Sequence, residues 1–189
     1  MRKLQLLAVA LFATFTVYSQ SWTLDKTHAK LGFTATHMLI SDVEGFFKTF
    51  DIKLTSEKPD FSDAVIELTA DANSINTDVE QRDKHLKGAD FFDVEKFPTL
   101  TFKSTSFTKT GDKTYKLKGD LTMHGVTKPV ELDVVLKGTT VHPYTKKTVA
   151  GFKVSGTIKR IDFGVGTNFP TAMVSDEIVI IANAELSKN

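Results

Sequence analysis

Cysteine is absent from the chain, and its absence excludes several kinds of protein. No disulfide can form, so the hydrophobic core must stabilise the fold without a covalent cross-link. A cysteine nucleophile is excluded, and so is the lipid-modified cysteine of an anchored lipoprotein. The chain also lacks the G-x-S-x-G sequence that presents the serine nucleophile of many hydrolases.

The chain has no excess of charge of either sign. Its 24 Lys and Arg residues and 23 Asp and Glu residues leave a formal net charge of +1, without a basic run. Because nucleic acid binding depends on a concentrated basic surface, nucleic acid is not an expected partner. No two histidines have a metal-ligand spacing such as H-x-x-x-H, so no metal site is predicted, although the fold could bring distant histidines together. Gly164-Val165-Gly166 lacks the third glycine of a dinucleotide-binding loop, and no cofactor is predicted.

The first 19 residues have the pattern of a secretory signal peptide. Arg2 and Lys3 form a positive start, an apolar run covers Leu6 to Ala13, and Ser19 precedes the expected cleavage point. The apolar run is too short for a membrane-spanning helix, although an uncleaved anchor is the alternative. We therefore predict a signal peptide over 1–19 and a mature domain over 20–189, without a permanent membrane anchor. The predicted location is the periplasm, with secretion as the alternative.

Alternation of apolar and polar residues predicts an all-β domain. The alternation is clearest where Val130, Leu132, Val134 and Leu136 are separated by Glu131, Asp133, Val135 and Lys137. No linker, internal repeat or low-complexity segment divides the domain. Antiparallel strands of this kind close into a barrel or pack as a sandwich, and alternation does not distinguish the two. The eight predicted strands are 28–37, 43–54, 62–72, 99–108, 113–124, 128–137, 148–161 and 177–186. Within 43–54 the alternation slips between Phe47 and Phe50, which predicts a bulge or bend.

One short helical insert, at about 78–92, interrupts the strands. Thr77 and Glu80 have the spacing of a capping box at its start, and Gly88 is placed to end it in a left-handed conformation. Phe91 and Phe92 follow, either as a gate over an open barrel end or as rings buried against its outer wall.

Arg82 lies on the inward stripe of this predicted helix and needs an acidic or carbonyl partner. We predict a structural network of Arg82, Asp83 and Asp90 that attaches the helix to the barrel. The alternative is that these residues are catalytic, which would require a cleft that gives them a substrate.

Several motifs resemble those of the YceI-like family of lipocalin-like bacterial proteins, which are also called polyisoprenoid-binding proteins. The resemblance extends over nearly the whole chain after the first twenty residues, with the motifs in the expected order. The upstream positions that carry it are Asp25-x-x-His28, Phe33, His37 and Gly45-x-Phe47. The later segments are SINT at 74–77, RDKHL at 82–86, ADFFD at 89–93, FPTLTFKS at 97–104, GDLTMHGVTKPV at 119–130 and IKRIDFG at 158–164.

The resemblance implies an eight-stranded antiparallel lipocalin-like β-barrel rather than a sandwich. It also implies a bound polyisoprenoid, such as a quinone or a polyprenyl lipid, or another long amphiphile. The implied role is to sequester or carry this lipid across the aqueous periplasm, with the head group near the barrel mouth. A homodimer is also implied.

Small inward-facing residues favour an internal cavity. Ala35, Ala70, Ala182 and Ala184 face inward, although bulkier neighbours could fill the space, as in most small barrels. Together with the resemblance, this predicts a ligand cavity. The predicted lining is Leu31, Phe33, Ala35, His37, Phe47, Ile66, Leu68, Leu100, Phe102, Leu121, Met123, Val134, Phe152, Val154 and Ile180.

Three functions follow, in order of preference. The first is a lipid-binding barrel without catalysis. The second is an enzyme that acts on an isoprenoid or lipid head group, which would need a polar cluster inside the cavity. The third is a filled barrel that serves as an interaction module, which would need an exposed apolar patch instead of a cavity.

Overall fold

Eleven strands and one α-helix make up residues 20–189, which are the residues that this computed structural model describes. The predicted signal peptide, residues 1–19, lies outside the described residues. Among residues 20–189, no helix is long and apolar enough to cross a membrane. The helix is α1 (Glu80–Lys87), and the strands are β1 (Ser21–Leu24), β2 (Lys30–His37), β3 (Ser41–Phe47), β4 (Phe50–Thr55), β5 (Val65–Asp71), β6 (Ile75–Asn76), β7 (Thr99–Lys109), β8 (Thr114–Met123), β9 (Val126–Val141), β10 (Thr148–Lys159) and β11 (Val174–Lys188).

The strands close into an antiparallel barrel, which confirms the predicted fold class. The order β1-β4-β5-β7-β8-β9-β10-β11 returns to β1, because Trp22 of β1 pairs with Lys188 of β11. Closure leaves no free sheet edge in this ring, which removes a template for aggregation. Beside β11 the wall continues with β2, β3 and β6. Three strands of the barrel are therefore each broken into two pieces, which are β1 with β2, β3 with β4, and β5 with β6.

The break between β3 and β4 lies where the sequence predicts one bent strand over 43–54. The backbone turns away at Lys48 and Thr49, and Ser74 accepts both of their free N–H groups. The distances are 3.1 Å from Lys48 N to the Ser74 carbonyl and 3.0 Å from Thr49 N to Ser74 Oγ. Ser74 itself lies in the break between β5 and β6, so the two breaks stabilise each other.

One end of the barrel, which we call the closed end, is filled by aromatic side chains. The ring centroids of Trp22 and Phe61 are 5.0 Å apart, and those of Phe61 and Phe152 are 5.1 Å apart. The Tyr115 hydroxyl donates a 2.6 Å hydrogen bond to the carbonyl of Asp60, so the polar group of this buried ring is satisfied. This packing leaves no room for a guest at the closed end.

The opposite end, which we call the helix end, carries α1 and the segment that follows it. The predicted capping of this helix is wrong at both ends. The helix begins at Glu80 after Val79, which makes no side-chain cap, and Thr77 hydrogen-bonds to Asp83 instead. Gly88 is extended, with φ −74° and ψ 173°, and is not left-handed.

Candidate functional site: an apolar cavity

A cavity lies inside the barrel between the aromatic closed end and the helix end. The centre of a water molecule can occupy about 200 Å³ of it. A single buried water needs only roughly 10–15 Å³ of such space, so the cavity has room for a guest of many atoms. With the exception of Arg160, every residue that lines it in the described part of the chain is apolar or glycine. Such a surface can recognise a guest through hydrophobic contact but offers few polar partners.

Two aromatic rings lie over glycines of the barrel wall, and this arrangement keeps space free near the barrel axis. The Phe33 ring lies over Gly45 on the paired strand, so close that an added Cβ would overlap it. The Phe102 ring lies in the same way over Gly119. Because both rings are folded against neighbouring strands, they contribute apolar wall without filling the centre. Sequence reasoning did not assign a role to Gly119.

The structure places twelve of the fifteen residues predicted to line the cavity around it. Each comes from an inward-facing position of a barrel strand, as the alternation predicts. They are Leu31, Phe33, Ala35, Phe47, Ile66, Leu68, Leu100, Phe102, Leu121, Met123, Val154 and Ile180.

The other three predicted residues lie outside the lining. Val134 and Phe152 face inward but belong to the packed cluster at the closed end. His37 is the last residue of β2 and is exposed. Alternation shows which face of the barrel wall a residue occupies, but it does not show how far along the barrel axis the residue lies. His37, Val134 and Phe152 lie at positions along the axis where the cavity does not extend.

The segment around α1 covers the cavity, which strand periodicity could not reveal. Leu86, Phe91 and Phe92 all line it. Phe92 packs edge-on against Phe47 at 5.9 Å between ring centroids, and Phe91 stacks on Phe169 at 4.8 Å. The two phenylalanines therefore roof the cavity and do not lie against the outer wall of the barrel.

Among the described residues that line the cavity, Arg160 is the single ionisable one, and its guanidinium is buried in a cradle of carbonyl groups. Nε donates to Ser175 O at 3.0 Å, one terminal nitrogen donates to Val165 O and Gly166 O, and the other donates to Phe169 O and Val174 O. All five N–H groups are thus used.

Burial lowers the pKa of Arg160 from its ordinary value, because desolvation disfavours the charged form. The hydrogen bonds of its guanidinium make Arg160 a brace for the loop that follows it. The brace holds residues 165–175, which form part of the rim at the helix end.

The predicted network of Arg82, Asp83 and Asp90 is only partly assembled. Arg82 donates to the hydroxyl and the carbonyl of Thr77, at 2.7 and 2.8 Å. Asp83 is buried and accepts from the backbone N–H and the hydroxyl of the same Thr77, at 2.7 and 2.6 Å. Asp90 takes no part, because its nearest ionic neighbour is the exposed His85 at 3.8 Å. The network therefore attaches α1 to the chain just after β6, outside the cavity.

A second polar group, which sequence reasoning missed, closes the break between β1 and β2. Asp25 accepts from the backbone and hydroxyl of Thr27 and lies 2.9 Å from His28 Nδ1. These hydrogen bonds hold the pKa of Asp25 well below its ordinary value, and the same carboxylate raises the pKa of His28. Glu185 of β11 lies nearby, with ligand atoms of the three residues within 4.8 Å of one another. The Asp25-x-x-His28 spacing was a signal for this contact.

A closed eight-stranded antiparallel barrel around an apolar cavity defines the lipocalin-like class of protein. Residues 22–186 match the model of the YceI-like domain, and the chain belongs to the YceI-like family. It is 39% identical to protein YceI of Salmonella newport over 176 residues. This match covers 92% of this chain and 91% of the relative.

Solved structures of related proteins have the same fold. The Campylobacter jejuni YceI protein is 32% identical to this chain and superimposes with a TM-score of 0.75. The match covers 82% of this chain and 90% of the Campylobacter jejuni chain. A polyisoprenoid binding domain from Saccharophagus degradans is 14% identical to this chain and superimposes with a TM-score of 0.68. The match covers 89% of this chain and 98% of that domain's chain. At that identity the second likeness supports the fold alone.

Proposed function

We propose that this protein binds a long-chain polyisoprenoid, or a similar amphiphilic lipid, inside the barrel and carries or sequesters it in the periplasm without catalysis. The observation that supports this proposal best is the apolar cavity between the closed end and the helix end. The polyisoprenoid named for the Saccharophagus degradans domain is a guest of the same chemical kind.

Burial of hydrocarbon is sufficient to hold such a guest. Each methylene that moves from water to an apolar wall contributes roughly 0.8 kcal/mol. A chain of a few isoprene units therefore gains enough free energy to offset the loss of its own freedom on binding. The polar head group would remain near the rim at the helix end, where water can still solvate it.

The charges of the cavity favour binding over catalysis. General acid–base chemistry needs a titratable group within hydrogen-bond reach of the reacting atom. Within residues 20–189, Arg160 is the one ionisable residue in the lining, and carbonyl groups already accept its five N–H groups. An enzyme that acts on a lipid head group would require a polar cluster that the described lining residues do not supply. The cavity likewise argues against a filled-barrel interaction module.

The periplasmic location rests on the signal-like residues 1–19, whose Arg2, Lys3 and apolar run have the pattern of an exported protein. Without Arg2 and Lys3 the formal net charge changes from +1 to −1. We also propose that the protein forms a homodimer, as the family resemblance implies.

Affinity should rise with the length of the guest. A series of prenyl alcohols that share one head group should bind at least about tenfold more tightly for each added isoprene unit, because each unit buries several more carbons. The increase should stop once the chain fills the cavity. Displacement of a fluorescent fatty probe from the purified mature protein measures this series.

Saturated alcohols of matched carbon number form the control series, since they test whether the branched isoprenoid chain is preferred over a plain one. An affinity that did not change with chain length, or that followed the head group alone, would contradict the proposal.

A further inference from the structure

The hairpin between β2 and β3 ends in three consecutive exposed apolar side chains. Met38 is 56% exposed, Leu39 is 69% exposed and Ile40 is 84% exposed. Single exposed apolar residues are common on protein surfaces, but a contiguous group marks a binding surface. We call these three residues, together with Met173, the apolar tip.

The backbone of the turn makes this choice of residues more informative. Ile40 N donates to His37 O at 3.1 Å, and the two residues between them, Met38 and Leu39, have φ values of 50° and 63°. Left-handed conformations at both central positions of a hairpin turn favour Asn-Gly, because a bulky side chain is strained there. Met38 and Leu39 are therefore unfavourable for the turn itself, which indicates that their side chains serve another purpose.

The apolar tip lies at the rim of the cavity. Met38 N donates to Met173 O at 3.0 Å, so the half-exposed Met173 side chain belongs to the same surface. The next residue, Val174, pairs with His37, and both Val174 and Ala35 line the cavity. A continuous apolar path thus runs from the cavity wall to the outside of the barrel at the helix end.

The charges around the tip are mixed, with more acidic than basic groups. On β3 the exposed Asp42 and Glu44 follow the turn, and on β11 Asp176 and Glu177 lie close to the rim. The exposed Lys159 of β10 lies opposite Glu177, and the exposed His37 ends β2 beside the turn. These carboxylates oppose electrostatic adsorption to an anionic surface. Contact with lipid at this place must therefore depend on insertion of apolar side chains.

We infer that the apolar tip inserts into a lipid bilayer, so that the rim of the cavity faces the membrane while the guest enters or leaves. This inference rests on the proposed function, because a guest that is a membrane lipid must cross from the bilayer into the barrel. The exposed apolar side chains lie at the end of a hairpin with a two-residue turn and not across the face of a sheet. Apolar side chains at such a position can be buried at the boundary between lipid head groups and acyl chains.

The test is co-sedimentation of the mature protein with phosphatidylcholine vesicles, alone and with added phosphatidylglycerol. The double variant M38N/L39G removes two apolar side chains and introduces the pair that the turn prefers, so the hairpin should fold at least as well. We expect at least about tenfold weaker binding to vesicles. We also expect unchanged affinity for a prenyl alcohol in solution, because neither residue lines the cavity. Wild-type binding should be no tighter to the anionic vesicles.

Tyr144→Asn is the matched control. Tyr144 is 89% exposed in the loop between β9 and β10, at the closed end, and its loss should leave vesicle binding unchanged.

Equal vesicle binding by M38N/L39G and wild type would overturn the inference, as would a wild type that does not sediment with vesicles. A change in molar mass of M38N/L39G by light scattering would instead assign the tip to contact between copies of the chain and would also overturn it. Failure of the proposed function would appear separately, as loss of prenyl alcohol binding by the wild type in solution.

Discussion

Replacement of Ala182 by phenylalanine should abolish lipid binding and leave the barrel folded. Ala182 is buried on β11 and lines the cavity, where it pairs with Val154 on one side and Leu31 on the other. A phenyl ring at this position would occupy the space of the guest. Because the ring enters an existing cavity, the usual overpacking penalty of about 1–3 kcal/mol should be largely avoided. Displacement of a fatty probe should show affinity at least about a hundredfold weaker, the equivalent of a few buried methylenes.

Ala184→Phe is the matched control for this variant. Ala184 faces the same side of β11 two residues further on, but it belongs to the packed cluster at the closed end and does not line the cavity. A ring there has no space to enter, so chemical denaturation should show a loss of stability of about 1–3 kcal/mol. If Ala182→Phe retained the wild-type affinity, or if it lost as much stability as Ala184→Phe, the assignment of the cavity as the binding site would be wrong.

Replacement of Arg160 by lysine should destabilise the protein strongly, although the charge is kept. A lysine has three donors and no planar fork, so it cannot reach the five carbonyls that surround Arg160. Buried carbonyl groups that lose a charged donor are costly, and we expect the free energy of unfolding to fall by about 3–5 kcal/mol. Urea denaturation measures this change.

Arg82→Lys provides the comparison. Arg82 is half-buried and bonds only to Thr77, at the hydroxyl and the carbonyl. A lysine can still donate one of these two hydrogen bonds, and we expect the free energy of unfolding to fall by about 1 kcal/mol. Equal losses for the two variants would show that the carbonyl cradle does not hold the rim of the cavity in place.

The barrel could be predicted because its strands repeat a strong local signal. All eight predicted strands correspond to strands of the closed wall, since alternation depends only on which face of each strand is buried. β1 was missed because it has four residues, of which only Trp22 and Leu24 show the pattern. The break at Lys48 and Thr49 was predicted as a bend within one strand because its hydrogen bonds go to Ser74, which is distant in sequence.

The candidate site was harder to predict than the fold. Periodicity could not separate Phe152 from Phe102, because both face inward and only their height along the barrel differs. The roof formed by Leu86 and Phe92 has no strand period, and the cradle around Arg160 consists of backbone carbonyls of an irregular loop. These features depend on tertiary packing, which single-sequence patterns do not encode.

Native mass spectrometry of the purified protein would show whether the barrel holds a long-chain lipid. The protein would be produced with its own residues 1–19, purified from the exported fraction without detergent, and extracted with organic solvent to identify any released guest. We predict one long-chain isoprenoid or similar amphiphile per chain, and none in Ala182→Phe. A wild-type mass without a guest, which persisted after incubation with quinones and polyprenyl lipids, would contradict lipid binding in the barrel.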